Sequence, residues 1–176
     1  MEPSPNRPKE QPGSGQRFIQ NLAYLAPGYL GYKTPALRQD EDARLRNRVL
    51  GYLSDLVDLL KERETVLERL SLEAARAKLQ QELKRLERVE KSIRFSPLGF
   101  TDFFEQQDLS EACIEKILEK DLILFQDFDE TLEMVRGTPF PPPTKKRFAN
   151  FFQSLASAIE RIENGLLSRD RAISNC

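Results

Sequence analysis

The chain has 176 residues, of which 39% are apolar and 31% charged, with a net charge of −1 and neither histidine nor tryptophan. That length suits one domain with a real core, and the charge level suits long, solvent-covered helices better than a compact α/β enzyme. Lack of histidine excludes Ser-His-Asp and Cys-His nucleophile systems, His-ligated zinc and the Glu-x-x-His di-iron bundle site. The near-neutral charge supplies no global pull toward nucleic acid or an anionic membrane.

Two cysteines, Cys113 and Cys176, cannot build a disulfide framework, and neither sits in a Cys-x-x-Cys pair. Cys176 is expected as a free thiol, and with no signal peptide recognisable the expected compartment is a reducing cytoplasm. No apolar run approaches the length that spans a bilayer.

Residues 1–16, MEPSPNRPKEQPGSGQ, bury too little to offset the entropy of ordering, so a disordered tail is expected ahead of a single helical domain over 17–176. RFIQNLAYLA predicts a short amphipathic helix over 17–26, with Phe18, Leu22 and Leu25 on one face and Pro27-Gly28 as its stop. Thr34-Pro35 reads as a helix start, a threonine cap followed by proline where the missing N–H costs nothing. Leu45, Val49, Leu53, Leu56, Leu60 and Leu67 then recur at helical spacing, which predicts a helix over 35–69. Asp40 and Asp42 each stand four residues before Arg44 and Arg46, pairs that support an exposed face. Gly51, in the interior, marks a close helix approach or a bend.

A second helix is expected over 72–94. Leu72, Leu79, Leu86 and Ile93 fall at heptad intervals, with Ala75, Leu83 and Val89 on the same side, which is a coiled-coil-like seam. Asp108-Leu-Ser-Glu111 reads as a capping box for a third helix over 109–136. Its stripe is Ile114, Ile117, Leu118, Leu124, Phe125, Phe128, Leu132 and Val135, and Gly137 is its stop. TPFPPP forbids helix and predicts an extended link. The fourth helix, 145–172, carries Phe148, Phe152, Leu155, Ile159, Ile162 and Leu166 and is expected to run through Asn164-Gly165. With no strand pattern, the sum is an all-α antiparallel bundle of three to four long helices.

GYLGYKT lacks the glycine before lysine and the preceding strand that a phosphate loop needs, and reads as a turn before a helix. QDFDETLE lacks the glycine turn of a calcium loop and reads as a solvated acidic face. Asp121 falls inside the apolar stripe of the third helix. A buried carboxylate needs a partner, so a structural ion pair is expected, with Arg94 as first choice. Residues 95–143 are strongly acidic, whereas 72–94 and 144–176 are net basic. An acidic helix between two basic neighbours fixes helix order in an antiparallel bundle, and a nucleic-acid reader would instead leave its basic residues on one open face. Lys145, Lys146 and Arg147 crowd the start of the fourth helix, where the dipole disfavours cations. They are expected to face the acidic cluster Asp127, Asp129, Glu130 and Glu133, the rival reading being that they are free for lipid or phosphate.

The stretch RFSPLGFTDFF gathers Phe95, Phe100, Phe103 and Phe104 around the helix breakers Pro97 and Gly99. It reads as core plugging the bundle end, as a docking surface, or as a membrane wedge, the last weakened by Asp102, Glu105 and Asp108. Phe95 and Phe100 are expected inside, with Phe103 or Phe104 left accessible.

The order Gly31-Tyr32, charged helix, Arg94-Phe95 with Gly99-Phe100 and Phe103-Phe104, then Lys120-Asp121-Leu122 resembles an uncharacterised family of bacterial all-helical proteins often encoded beside band-7 (SPFH-type) membrane-associated proteins. The resemblance spans residues 28–172, with the proline-rich link at 138–143 outside its pattern. It brings no enzymatic activity and implies a protein partner at a membrane; no cofactor is expected. The expected function is therefore a non-catalytic cytoplasmic scaffold that docks a protein, a band-7-type protein or a homo-oligomer partner, with no nucleic acid. The alternative is a peripheral membrane-surface binder using Lys145, Lys146 and Arg147 with the N-terminal amphipathic segment.

Overall fold

The computed structural model describes Leu22, Gly28 and residues 30–32, 34–95 and 109–176. Among the described residues four long helices carry the fold: α1 (Pro35–Arg69), α2 (Glu73–Phe95), α3 (Glu111–Gly137) and α4 (Lys145–Ser174). The all-α bundle read from the sequence is the observed architecture. The tail expected over 1–16 and the helix expected over 17–26 lie outside the described residues, except that Leu22 is helical and buried.

Each helix starts and stops for a local reason. Pro35 opens α1, but Thr34 makes no side-chain cap bond and serves only through its extended backbone. The end of α1 is a Schellman turn, with Ser71 N–H donating to the Glu68 carbonyl and Leu72 N–H to that of Leu67, each at 3.0 Å. That turn requires a left-handed residue, and Ser71 supplies it at φ +53° where glycine is the usual occupant. It reverses the chain within three residues, and Leu72 consequently falls before α2 and outside its seam. The cap of α3 is Ser110 rather than Asp108, its hydroxyl accepting from Cys113 N–H at 3.2 Å. Thr144 caps α4 in the same way, accepting from Arg147 N–H at 3.3 Å.

The two antiparallel hairpins, α1–α2 and α3–α4, lie side by side, so that α1 also packs on α3 and α2 on α4. These cross-hairpin neighbours run parallel. Arg63 near the end of α1 meets Val135 and Thr138 at the end of α3, whereas Asp42 near the start of α1 shares a partner with Asp121 in the first half of α3. The acidic α3 is therefore not sandwiched between two basic helices as expected. Its neighbours are α1 and α4, with α2 across the diagonal.

The core follows the apolar spacing. The predicted α1 stripe is buried throughout, as are Leu79, Leu83, Leu86, Val89 and Ile93 of α2 and the α3 stripe from Ile117 onward. The α4 stripe is rotated by one residue at its start. Phe151 is buried, and Phe148 and Phe152 are only half-buried. The cause is the ring of Phe140 from the proline-rich link, which stands 5.5 Å from Phe151 and draws it inward. That link bends at successive residues instead of running extended.

α3 and α4 keep one antiparallel register along their length: Leu124 lies against Gly165, Asp127 against Arg161 and Asp121 against Arg169. Carried outward, that register brings together Cys113 and Cys176, which form a disulfide with Cα atoms 5.9 Å apart across 63 residues. The expectation of a free Cys176 thiol is corrected. Gly165 does not end α4, and a Cβ there would come 3.2 Å from Leu124 Cδ1, so the close helix approach is here and not at Gly51. Gly51 is exposed with nothing within 4 Å of an added Cβ. Gly51→Ala is therefore expected to stabilise the fold by about 1 kcal/mol, through helix propensity alone. Urea unfolding checks this, with Gly165→Ala gaining less because its methyl presses on Leu124.

Among the described residues no helix is long and apolar enough to cross a membrane.

Candidate functional site

The only fully closed cluster of ionisable groups among the described residues lies inside the bundle near the start of α1. Asp121 is 0% exposed and Arg169 2%. Arg169 Nε donates to Asp121 Oδ1 at 2.6 Å, and its Nη2 reaches across the bundle to Asp42 Oδ1 at 2.5 Å and to the Tyr32 hydroxyl at 2.9 Å. Tyr32 in turn donates to Asp121 Oδ2 at 2.8 Å. Arg46 holds the other Asp42 oxygen at 2.9 Å and donates to the Ile93 carbonyl at the end of α2. Arg38 Nε fixes the Tyr32 carbonyl at 3.1 Å.

Burial pushes the Asp121 carboxyl above its ordinary range, opposed by the Arg169 charge and the Tyr32 hydroxyl. Burial also disfavours the Arg169 cation, but Asp121, Tyr32 and Asp42 around it prevail and hold it well above its ordinary value. Both oxygens of Asp121 and of Asp42 are thus held, and the cluster joins the segment before α1, α1, α3 and α4. Its chemistry is that of a register device.

The buried ion pair of Asp121 was expected, but with Arg94. Arg94 is exposed on α2 and pairs with Glu90 at 2.8 Å. α2 lies diagonally from α3, whereas α4 lies beside it. The signal for Arg169 was present in the sequence: it stands seven residues after Ile162 and four before Ile173, in the apolar phase of α4.

A second feature lies at the opposite end of the bundle. Phe140, Phe148, Phe151 and Phe152 stack with ring centroids 5.4–6.5 Å apart. The Arg63 guanidinium lies 4.7 Å from the Phe140 ring and 5.0 Å from that of Phe151. It also donates to the Val135 and Thr138 carbonyls, neutralising the negative end of the α3 dipole. Outside this stack runs a groove of about 730 Å³ between the start of α2 and the start of α4, lined by Leu72, Ala75, Lys78, Lys145, Phe148 and Phe152. Leu72 is 37% exposed there.

Lys145, Lys146 and Arg147 are all exposed, Lys145 on the groove, and make no ion pair among the described residues. Their expected pairing with the acidic cluster of α3 does not occur. Asp127 and Glu130 meet Arg161, at 2.9 and 3.7 Å, and Glu133 meets Arg136 at 3.5 Å. The hairpin register explains this: it sets Asp127 opposite Arg161, four turns beyond the basic trio, and places the trio opposite the proline-rich link.

Near the buried cluster a third feature, a cleft of about 520 Å³, opens between α1, the end of α2 and the end of α4. Phe95, 79% exposed, and Leu167, 54% exposed, stand on its edge. Phe95 was expected inside the bundle end and is instead one of the most exposed apolar residues described. Phe100, Phe103 and Phe104 lie outside the described residues. The aromatic group the sequence reading passed over is the one at 140–152, where four rings appear as separate helix-stripe and link residues until the link folds back on α4.

Among the described residues no group of three or more potential ligands is placed to hold a metal. The fold and these features define a four-helix bundle of two parallel-packed hairpins, tied by a buried ion cluster at one end and carrying a basic, aromatic groove at the other. Comparison with protein-family models, with curated proteins and with solved structures gave no match.

Proposed function

We propose that this chain is a non-catalytic helical scaffold that docks a protein partner, with the groove between α2 and α4 as a docking surface. The observation that carries the reading is an apolar floor of Leu72, Phe148 and Phe152 beside cations that make no ion pair among the described residues. Water-facing aromatic surface rimmed by charge is what a protein interface offers before its partner arrives. The buried carboxylates, by contrast, are engaged with Arg169 and Arg46 and serve the fold. The resemblance to helical proteins encoded beside band-7 membrane-associated proteins makes such a protein the partner class to test, on the cytoplasmic side. In that compartment the Cys113–Cys176 bond belongs to an oxidised state.

The same unpaired Lys145, Lys146 and Arg147 support a second reading, a peripheral membrane-surface binder. A bilayer surface favours rings that project from a convex face, and here the rings line a concavity. A photoreactive residue at Phe152, compared with one at exposed Glu62 on α1, separates the two in extracts with and without liposomes. Protein adducts specific to position 152 support docking, and lipid adducts alone would replace it with the membrane reading.

A further inference from the structure

We infer that the groove is filled by the segment between Phe95 and Leu109 of a second copy of this chain, so that the bundles associate head to tail. The inference rests on the docking reading and names its partner. The groove asks for aromatic or aliphatic side chains next to carboxylates, because Leu72, Phe148 and Phe152 form its floor and Lys78 and Lys145 on opposite banks outnumber its one carboxylate, Glu73. Between Phe95 and Leu109 the sequence supplies that composition: Phe100, Phe103 and Phe104 alternate with Asp102, Glu105 and Asp108, with no lysine or arginine among them. Opposite potentials of this kind steer association and fix its register.

The segment cannot reach the groove of its own chain. It begins at Phe95, the last residue of α2, and rejoins the described chain at Leu109, just before α3. Both anchors are at the end of the bundle that holds the buried ion cluster. Ala75, on the groove, lies about 30 Å from Phe95 along α2 at 1.5 Å per residue. Tethered at both ends, Phe100, Phe103 and Phe104 extend no more than about 20 Å from their anchors even when fully stretched. A neighbouring copy stacked end on end has no such limit. Stacked end on end, the contact is heterologous, so the product is an open chain of bundles or, where successive rotations close, a ring.

Charge swapping tests this without touching the core. Lys78→Glu/Lys145→Glu reverses the groove banks, and Asp102→Lys/Glu105→Lys reverses the segment. The wild-type chain is expected to show concentration-dependent association by sedimentation velocity, weakened by salt. Each double variant alone is expected to associate at least about tenfold more weakly, because like charges then face one another. An equimolar mixture of the two variants restores opposite charges at every junction and is expected to recover assembly. A wild type that stays monomeric, or a mixture that does not recover, overturns the inference. A monomeric wild type that still forms protein adducts at position 152 leaves the docking reading standing and removes only the second copy. Binding of phosphatidylglycerol vesicles that is lost in Lys78→Glu/Lys145→Glu, with the wild type monomeric, assigns the groove to lipid and also overturns it.

Discussion

Arg169→Met is expected to lower the unfolding free energy by about 3–5 kcal/mol, the range for orphaning a buried charge. The side chain is matched in length and apolarity to the stem it replaces, so packing is largely kept and the loss is electrostatic. It takes away the cation that faces Asp121 in a site with no solvent access, where the Tyr32 hydroxyl is a neutral partner, whereas Asp42 keeps Arg46 at 2.9 Å. Asp121→Leu added to Arg169→Met is expected to recover much of the loss, since the cost lies in the unpaired charge and not in the missing pair. Equal destabilisation in the single and double variants, measured by urea unfolding, would show that the cluster acts through packing alone.

The same variant carries a pH signature. Burial already raises the Asp121 carboxyl above its unfolded value, and Arg169 is the largest influence opposing that rise. A carboxyl raised in the folded state contributes stability that is present below its unfolded pKa and is lost as pH rises through the folded one. Without Arg169 the rise is larger. Arg169→Met is therefore expected to regain stability relative to wild type as pH falls from neutral toward the carboxylate range. A constant difference between the two proteins across that window would place the lost interaction elsewhere.

Helix existence and the buried faces of α1 and α3 were legible in the sequence because local periodicity decides them. Leu45 through Leu67 and Ile117 through Val135 take the positions their spacing dictates. What the sequence did not yield is which helices touch, since that depends on the relation of one hairpin to the other. The choice of Arg94 for Asp121 followed from assuming that α2 lies beside α3. Pairing two hairpins in parallel puts α2 on the diagonal and gives the role to Arg169. The basic trio was misassigned for a related reason: the two clusters were matched by charge, while the register of the α3–α4 hairpin separates them by about four turns. Phe151 displaced Phe148 and Phe152 from the core because Phe140 folds in from a link that reads as merely extended. The groove they leave half-covered is a consequence of that displacement. No local pattern contains it.

Reducing the Cys113–Cys176 bond is expected to cost about 4 kcal/mol in the chain-entropy account, given the length of chain the bond closes. The 5.9 Å separation of the Cα atoms lies in the ordinary disulfide range, so the helices need not move to accommodate the bond. The proline-rich link already joins α3 to α4 at one end of their hairpin, and the disulfide joins them at the other. Once both ends are tied, the unfolded chain loses most of the conformations in which α3 and α4 separate. Urea unfolding should therefore show a lower midpoint and a larger slope on adding a phosphine reductant, because the released chain exposes more surface. Cys113→Ser/Cys176→Ser should match the reduced wild type and ignore the reductant. The loss should fall first on the last turns of α4, where Ile173 is buried and Arg169 holds Asp121 and Asp42, so hydrogen exchange is expected to rise there before it rises near Lys145. If oxidised and reduced chains unfold at the same urea concentration, the helical packing alone brings the two cysteines together and the bond adds nothing to it.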